Sequence, residues 1–369
     1  MRVLIDATPL LVRSAGVKNY LYHWIEHLRR AAGPGESIRT FPAFDAGLSL
    51  HHDRSVAGFW RTQLALATLA AANYTPAPVM DWVARDADIF HASSLTRETP
   101  RRARLTITIH DLTSWLMPEL HPTANRRADE NLAALARRAH RVIAVSECTR
   151  QDAVRVLSIA PEKIDVIHSG VAESFFHVEK AAVEAVRARY SLLKPFVLSV
   201  GTIEPRKNTD ALLSAYQALP PSLREEFDLV LAGPLGWAAA STIERVRRVR
   251  YLGYVPETDI APLTAAATVF AYPSLYEGFG FPVAQAMAAG VPVITSNVSS
   301  LPEIAGDAAV LIDPRSLAEL RDGLSRLLLS PDVRAQLAAR GRERAELFHW
   351  QTCAERSLRF FREVARRCY

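Results

Sequence analysis

The stretch 272–302, YPSLYEGFGFPVAQAMAAGVPVITSNVSSLP, constrains the fold more than any other part of this chain. It joins a strand end, a glycine turn at 278–280, an alanine-rich helical segment at 284–289 and an apolar strand at 291–295. Backbone N–H groups at the start of such a helix point into the turn, and the helix dipole favours an anion there. The segment therefore predicts a strand–turn–helix–strand unit with a phosphate site.

Glu277 stands at the mouth of this glycine turn. A carboxylate beside a bound anion is unfavourable, because the two negative charges repel each other. It is better suited to accept hydrogen bonds from neutral hydroxyl groups. We therefore expect Glu277 to bind the hydroxyls of a sugar that the anion carries.

The length and composition indicate a globular protein of two domains. A chain of 369 residues exceeds the size at which one hydrophobic core usually keeps growing. Its three cysteines are too few and too scattered for a disulfide framework or a zinc site. The start MRVLIDATPL is typical of a short strand and not of a signal peptide. We expect a reducing, cytoplasmic location.

The net charge of +5 raises the question of acidic partners. Basic clusters occur at 101–104, 137–138, 245–248 and 366–367, but acidic residues are interleaved through most of the chain. No aromatic and basic platform of the RNA-binding kind is present, so we expect no nucleic-acid partner. The clusters fit solvated helix faces, and a weak peripheral attraction to the anionic inner face of a membrane stays open.

Apolar strand-like runs alternate with helical patterns along the whole chain, which predicts the α/β class. We expect two Rossmann-like, doubly wound parallel-sheet domains that face a central cleft. The expected domains are 1–176, with the last helix 351–369 packing back on it, and 177–350, with the charged segment 177–194 as a linker. The predicted strands are 3–5, 88–91, 105–110, 141–145, 196–200, 229–232, 251–252, 268–271, 291–295 and 309–312.

The second half opens with VGTIEPRKN at 200–208. Gly201 follows an apolar strand and permits a tight turn, while Arg206 and Lys207 stand directly before a helical segment. Two cations beside a helix N-terminus suit a diphosphate. Together with the turn at Glu277, this loop predicts a phosphate site in the second domain.

The motifs of both halves resemble one family. Four segments are similar to the family-four retaining glycosyltransferases of the GT-B fold, in particular to their mannosyltransferase-like branch: VGTIEPRKN, LAG at 231–233, YLGYV at 251–255 and the segment 272–306. In the first half Gly16 in SAGVKNY, the pair His110-Asp111, VIAVSECTRQDAV and KIDVIHSGV also match. The resemblance implies an enzyme that moves a hexose from a nucleotide diphosphate sugar to a hydroxyl of a glycan, glycolipid or other acceptor. It also implies retention of the anomeric configuration and no metal or other cofactor.

The resemblance assigns a role to each matching residue. Arg206 and Lys207 would hold the donor diphosphate and stabilise the charge that develops on the leaving group. Glu277 would accept hydrogen bonds from the donor sugar, and His110 would lie near the reacting centre. Further donor contacts would come from Gly16, Gly201, Thr202, Tyr254, Val255, Phe279, Gly280, Phe281 and Gln285.

Three positions depart from the family pattern. Gln285 stands where a second Glu, which accepts hydrogen bonds from the nucleotide ribose, is usual. Hydrogen bonds to charged groups are worth roughly 1.5–3 kcal/mol against about 1 for neutral ones, so we expect weakened or altered nucleotide binding. Thr202 replaces a frequent Arg, and Ser169 replaces the usual Asn before Gly170.

Several functional hypotheses remain. The TIEPRKN form of the loop resembles members that use GDP-mannose in polysaccharide or glycolipid assembly, and a UDP-glucose donor is the alternative. A sugar-nucleotide 2-epimerase on the same fold and a catalytically weakened binding protein are the other two. A nicotinamide enzyme is disfavoured because no G-x-G-x-x-G follows the first strand of either half. Asp86-Ala-Asp88 resembles a metal-binding DxD but leads straight into a strand, so we expect a turn and no metal there.

Overall fold

A computed structural model of the chain describes residues 1–12, 16–44, 50, 55–75, 77–121 and 123–366, without the side chains of 123–129. It contains two compact units, one formed by 1–170 with 350–369 and the other by 171–349. The predicted boundary was 176–177. Each unit is built around a six-stranded parallel sheet.

The strands of the first unit are short apolar runs with covered faces. Val3 and Ile5, for example, are fully buried, as expected for a parallel sheet between two layers of helices. The spatial order is β2-β1-β3-β4-β5-β6, so the chain reverses its winding direction between β1 and β3. The strands are β1 (Arg2–Asp6), β2 (Ser37–Phe41), β3 (Ile89–Ala92), β4 (Arg104–Ile109), β5 (Arg141–Ala144) and β6 (Ile164–Val166).

The sheet of the second unit has the order β12-β11-β10-β7-β8-β9. Its winding reverses between β7 and β10, and ligands of such sheets bind outside the carboxyl ends of the strands at this point. The loops after β7 and β10 carry Arg206, Lys207 and Glu277. The strands are β7 (Phe196–Val200), β8 (Asp228–Ala232), β9 (Arg250–Gly253), β10 (Val269–Tyr272), β11 (Val293–Ser296) and β12 (Ala309–Ile312). The prediction of an α/β fold with two doubly wound parallel sheets is confirmed.

Helices connect the strands in both units. The first unit begins with α1 (Gly16–Ala31), α2 (Phe59–Tyr74), α3 (Val79–Val83), α4 (Thr113–Leu116), α5 (Thr123–Arg138) and α6 (Glu147–Leu157). The second contains α7 (Glu173–Phe176), α8 (Lys180–Arg189), α9 (Thr209–Gln217), α10 (Pro221–Glu226), α11 (Ala240–Val246), α12 (Glu257–Ala265), α13 (Phe281–Ala288), α14 (Leu301–Ala305), α15 (Leu317–Leu329) and α16 (Pro331–Ala345). The last is α17 (Trp350–Arg366). None of the helices in the described ranges combines the length and the apolar character needed to cross a membrane.

Helix α17 belongs to the first unit and packs along α1. The indole nitrogen of Trp24 on α1 donates a hydrogen bond to Ser357 Oγ at 2.9 Å, in a buried position. Arg362 of α17 bonds both oxygens of Glu36 at 2.8 Å. These contacts bind the C-terminal helix to the unit that holds the start of the chain.

The interpretation of 177–194 as a linker is wrong. Residues 180–189 form the regular helix α8, which buries Val186. Arg189 at its end lies 2.6 Å from both carboxylate oxygens of the buried Asp259 on α12. The charged residues of α8 cover its solvated face, and the few that turn inward have partners.

Candidate functional site

The loops after β7 and β10 are joined to each other at the centre of the second sheet. The carbonyl oxygen of Arg206 accepts hydrogen bonds from Leu275 N at 2.8 Å and Ser274 Oγ at 3.0 Å. Since β7 and β10 are neighbours, these bonds bring the two cations of the first loop against the carboxylate of the second. Arg206, Lys207 and Glu277 are in direct contact as a result.

Glu277 is the centre of this cluster. Its Oε1 lies 2.7 Å from Lys207 Nζ and accepts hydrogen bonds from Tyr272 Oη at 2.9 Å and Ser274 Oγ at 2.7 Å. Its Oε2 lies 2.9 Å from Arg206 Nη1. Burial opposes ionisation of this carboxyl, but the charges of Arg206 and Lys207 outweigh burial and lower its pKa to about 2. Glu277 is therefore an ionised acceptor at every ordinary working pH.

Lys207 is a largely desolvated cation. Burial and the neighbouring Arg206 lower the pKa of its ammonium group, and Glu277 opposes that change. The ammonium donates a hydrogen bond to Tyr272 Oη and lies 5.1 Å from the centroid of that ring. In such a low-dielectric setting a cation interacts more strongly with an anionic group than it would in water.

Arg206 is held in place by a second carboxylate. Its Nη2 donates to Glu204 Oε1 at 2.7 Å, and its Nη1 donates to Tyr276 O at 2.8 Å. Glu204 is buried and stands before a 3-10 turn, Pro205–Lys207. Two cations and two carboxylates thus balance in this cluster. Glu204 was not predicted, although a carboxylate two residues before Arg206 could have been recognised as a partner for its guanidinium group.

Glycines let the loops after β7 and β8 approach backbone to backbone. Gly201 and Gly233 have φ values of 152° and 136°, in the region that favours glycine. A Cβ on Gly233 would lie 2.0 Å from the carbonyl oxygen of Gly201, which is far closer than atoms can pack. The absence of a side chain at Gly233 therefore allows the close contact with Gly201, where the predicted phosphate loop begins.

Gly233→Ala should lower the free energy of unfolding by about 3 kcal/mol or more, because the methyl group adds a backbone clash to an unfavourable φ. Urea unfolding measures this. Gly341→Ala in α16 is the matched control, since its Cβ would have an ordinary nearest contact of 3.4 Å. We expect the control to stay within about 1 kcal/mol of the native protein. Equal losses in both variants would show that the close approach at Gly233 is unimportant.

The turn after Glu277 is anchored by two serines that follow β11. Glu277 N donates to Ser299 Oγ at 3.0 Å, and Ser300 Oγ donates to the carbonyl oxygens of Glu277 and Phe279 at 2.9 Å. Gly280, with φ 98°, is the N-cap residue directly before α13. That helix begins at Phe281, before the predicted 284, because proline is favourable in the first helical turn. The predicted glycine turn is thus a rigid element.

The remaining donor residues predicted in this unit lie along the carboxyl ends of its strands. Gly201 and Thr202 follow β7, and Phe281 and the half-buried Gln285 lie on successive turns of α13. Beyond β9, at the edge of the sheet, Tyr254 is 41% exposed and Val255 is buried. Their positions along one edge are compatible with a single extended ligand, and their roles remain predictions.

Two predicted residues lie in the first unit. Gly16 is the first residue of α1, and His110 follows β4. The ring of His110 meets Tyr20 edge-on, with 4.7 Å between ring centroids. Burial lowers the pKa of His110 to about 4, although Asp111 acts in the opposite direction. His110 is therefore neutral near pH 7 and can donate or accept a hydrogen bond.

His110 borders a cavity of about 150 Å³ that has several polar walls. His91, which also lines it, is buried with its ring nitrogens 3.0 Å from Thr106 Oγ1 and 3.1 Å from Thr108 Oγ1. Asp6 Oδ1 accepts from Thr8 N at 3.0 Å and Thr8 Oγ1 at 2.7 Å. Sequence reasoning missed Asp6 and His91, because each ends or lies within an apolar strand that reads as core.

We expect the first unit to lose stability as the pH falls from about 6.5 towards 4. Burial lowers the pKa of His91 to about 3 and that of His110 to about 4, from an ordinary 6.5. The unfolded chain therefore binds more protons in this window, and each histidine contributes a slope of up to about 1.4 kcal/mol per pH unit. Urea unfolding at a series of pH values, followed by tryptophan fluorescence, measures the slope.

The His91→Asn variant should show a flatter pH dependence, whatever its absolute stability. His177→Gln, which replaces an exposed histidine, should keep the native slope. A native protein with no pH dependence between about 6.5 and 5 would contradict the assignment.

Asp86 and Asp88 form the turn before β3. The carboxylate of Asp88 accepts hydrogen bonds from Arg2 N at 2.7 Å and Arg2 Nη2 at 2.8 Å, which ties β3 to β1. Within the described part of the chain, no three His, Cys, Asp or Glu side chains are grouped so that they could hold a metal ion.

Comparison with known proteins identifies the family. The model for Glycosyltransferase Family 4 matches residues 15–175, and the model for Glycosyl transferases group 1 matches 188–344. The O-antigen chain mannosyltransferase B of Escherichia coli is 35% identical over 270 residues, 71% of this chain and 71% of that protein. The serotype-specific mannosyltransferase WbdA of Escherichia coli is 29% identical over 63% of this chain, which spans only 30% of WbdA. The chain belongs to the family-four, group 1 glycosyltransferases.

Solved structures agree on the fold. The sucrose-phosphate synthase of Thermosynechococcus elongatus matches with a TM-score of 0.73 at 21% identity, over 98% of both chains. Anabaena HepE in complex with UDP and glucose matches with a TM-score of 0.72 at 19% identity, over 98% of this chain and all of that one. The predictions of a GT-B fold and of a glycosyltransferase are confirmed.

Proposed function

We propose that the protein transfers mannose from GDP-mannose to a hydroxyl group of a glycan or glycolipid, in the assembly of a polysaccharide. The observation that carries this proposal is the contact of Arg206 and Lys207 with Glu277 at the switch point of the second sheet. It joins two cations that suit a diphosphate with a carboxylate that suits sugar hydroxyls. The names of the E. coli mannosyltransferases support mannose as the sugar.

In this proposal Arg206 and Lys207 take the place of a metal ion. Negative charge develops on the diphosphate as the bond to the sugar breaks, and preorganised cations stabilise that charge most effectively where water is excluded. Glu204 holds the guanidinium of Arg206 by a 2.7 Å hydrogen bond. That contact keeps Arg206 oriented before the donor arrives, so less reorganisation is needed during the reaction.

Glu277 is proposed to orient the donor sugar. With a pKa of about 2 it remains a carboxylate and acts only as an acceptor. Contacts with Lys207, Tyr272 and Ser274 hold Oε1, which makes Glu277 poorly placed to act as a free nucleophile. We therefore favour front-face transfer. The acceptor oxygen bonds to the anomeric carbon on the face that the diphosphate leaves, and its proton passes to a diphosphate oxygen.

The other predicted residues complete the proposal. The neutral His110 would hydrogen-bond the donor sugar or position the acceptor. Gly16 would allow backbone N–H groups near the phosphates, and Tyr254 and Val255 would line the base pocket. Gln285 would accept a hydrogen bond from the ribose more weakly than a glutamate would. The acceptor would contact loops of the first unit such as 46–60 and 112–121, of which residues 46–49 and 51–54 lie outside the described part of the chain.

A thermal-shift screen with GDP, UDP and ADP and their sugars tests the donor. A ligand at about a hundred times its Kd stabilises the folded state by about 2.7 kcal/mol, so the correct nucleotide should raise the Tm clearly above the other two. We expect GDP and GDP-mannose to give the largest shifts. A larger shift with UDP and UDP-glucose would replace mannose by glucose as the transferred sugar.

Incubation with donor alone separates transfer from isomerisation. A 2-epimerase would change the free sugar nucleotide, whereas a transferase should at most hydrolyse it slowly.

We also expect transfer to continue in EDTA, and strict dependence on an added metal would contradict the roles of Arg206 and Lys207. If Gln285→Glu tightened GDP binding and created activity that the native chain lacks, the protein would be a weakened binding protein.

A further inference from the structure

Helix α2 is apolar on its inner face and largely apolar on its outer face, where Arg61 and Gln63 are exposed polar residues. Its inner face packs into the first unit through buried residues such as Ala65 and Leu69. On the outer face Trp60 and Leu64 are 80% and 71% exposed. Arg61 is its only charged residue. A surface helix in water normally carries polar residues on its outer side, so the outer side of α2 is suited to being covered.

This apolar outer face extends along α2 to its last residue, and the neighbouring α3 adds to it. From Trp60 and Leu64 it runs at helical spacing to Tyr74, which is 71% exposed, and α3 adds Trp82 at 69%. Phe59 packs edge-on against Trp60, with ring centroids 5.3 Å apart. We call these five residues the aromatic surface. In the described part of the first unit, Trp115 is the only other strongly exposed large apolar side chain. A concentration of this kind marks an interaction site.

Arginines lie directly against the aromatic surface. The guanidinium of Arg85 is 5.9 Å from the ring centroid of Trp82, and that of Arg97 is 5.0 Å from the ring centroid of Tyr74. Residues 59–102 contain five arginines, no lysine and four carboxylates. Three of those carboxylates have basic partners: Asp88 is bonded to Arg2 of β1 at 2.8 Å, Asp86 lies 3.4 Å from Arg85, and Asp81 lies 3.7 Å from Arg101. The last two pairs are exposed and therefore weak in water. The surface is thus aromatic at both ends and bordered by arginines, and the segment 59–102 has a net charge of +1 from its five arginines and four carboxylates.

We propose that the aromatic surface binds the headgroup region of an anionic phospholipid bilayer, with α2 lying in the plane of the membrane. Trp and Tyr favour the membrane–water interface, where an apolar ring and a polar group are both satisfied. Amphipathic helices bind there through a face of Trp, Phe and Leu without spanning the bilayer. Helix α2 offers such a face on its outer side, while its inner side is packed against the first unit. Arginine matches phosphate groups geometrically, so the flanking cations complement anionic headgroups. This inference does not depend on the proposed donor or acceptor.

Protein interfaces also favour Trp, Tyr and Arg, so the experiment has to separate the two partners. The native chain is mixed with phosphatidylethanolamine vesicles that contain phosphatidylglycerol, and the bound fraction is measured by flotation without any sugar nucleotide. Trp60→Gln with Leu64→Gln removes apolar area from positions that touch little else in the chain. We expect this double variant to bind about tenfold more weakly for each side chain removed. Arg85→Gln should weaken binding about fivefold.

The control is Leu193→Gln with Leu329→Gln, which changes two side chains of the second unit that are 90% and 64% exposed. It should bind vesicles like the native chain. Native binding that the Trp60 and Leu64 changes leave intact would overturn the proposal. So would a native chain that ignores vesicles but forms a dimer in sedimentation velocity, if the double variant abolished that dimer. Quenching of tryptophan fluorescence by brominated lipid should be strong in the native chain and weaker in Trp60→Phe.

Discussion

Lys207→Ala should reduce the rate of sugar transfer by about 30- to 1000-fold, which corresponds to a loss of about 2–4 kcal/mol of transition-state stabilisation. The reason is that Lys207 is a largely desolvated cation in the cluster where we propose that charge develops on the leaving diphosphate. The stability of the fold should fall less than activity does. Arg206 Nη1 lies 2.9 Å from Glu277 Oε2 in the native structure, and this ion pair is still present in the variant. Steady-state kinetics with the donor that the thermal-shift screen identifies measure the effect.

Lys180→Ala is the matched control for this substitution. It removes an ammonium group that is 91% exposed, in the same unit, and should leave kcat and kcat/KM unchanged. Lys207→Arg keeps the charge but changes its shape, so we expect partial activity. Turnover of Lys207→Ala near the native rate would remove Lys207 from the diphosphate site. A loss confined to KM would mean that Lys207 binds the ground state and the transition state equally.

The sequence was sufficient to predict the positions of the charged cluster. Arg206 and Lys207 follow one buried strand, and Glu277 follows another, so their meeting at the carboxyl edge of a sheet followed from the βα alternation. It was not sufficient to predict how the charges pair. The sequence suggested that Glu277 was free for the sugar, but Lys207 Nζ lies 2.7 Å from its Oε1. Pairing depends on side-chain distances, which spacing along the chain does not reveal.

Other differences have local causes. β2 was missed because SIRTF is an edge strand whose polar residues, such as Arg39, reach solvent. α8 was taken for a linker because a charged sequence does not show which side of a helix is buried. His91 was passed over as core, although it lines the cavity beside His110. The periodicity of apolar residues predicts helices and strands and their buried faces. It does not predict which side chains meet across a sheet, and only the structure shows these.

The charge balance of the cluster leads to a prediction about stability that is separate from catalysis. Glu277→Gln keeps the shape of the side chain but leaves Lys207 without its carboxylate in a largely buried place. Removing one member of a buried ion pair typically costs about 3–5 kcal/mol, and we expect about 3 here because Arg206 retains Glu204 at 2.7 Å. Lys207→Met should also destabilise the fold, since it removes a hydrogen-bond donor to Glu277 and Tyr272.

A double-mutant cycle then distinguishes the structural role of the pair from its proposed role in transfer. The combined variant Glu277→Gln with Lys207→Met has no unpaired charge of this pair, so its loss of stability should fall short of the sum of the single losses by about 1–3 kcal/mol. Activity should behave differently and stay low in all three variants, because neither the diphosphate nor the sugar regains its partner. Additive stability losses would mean that Glu277 and Lys207 are not energetically coupled. Recovery of transfer in the double variant would mean that these two residues hold the fold and take no part in the reaction.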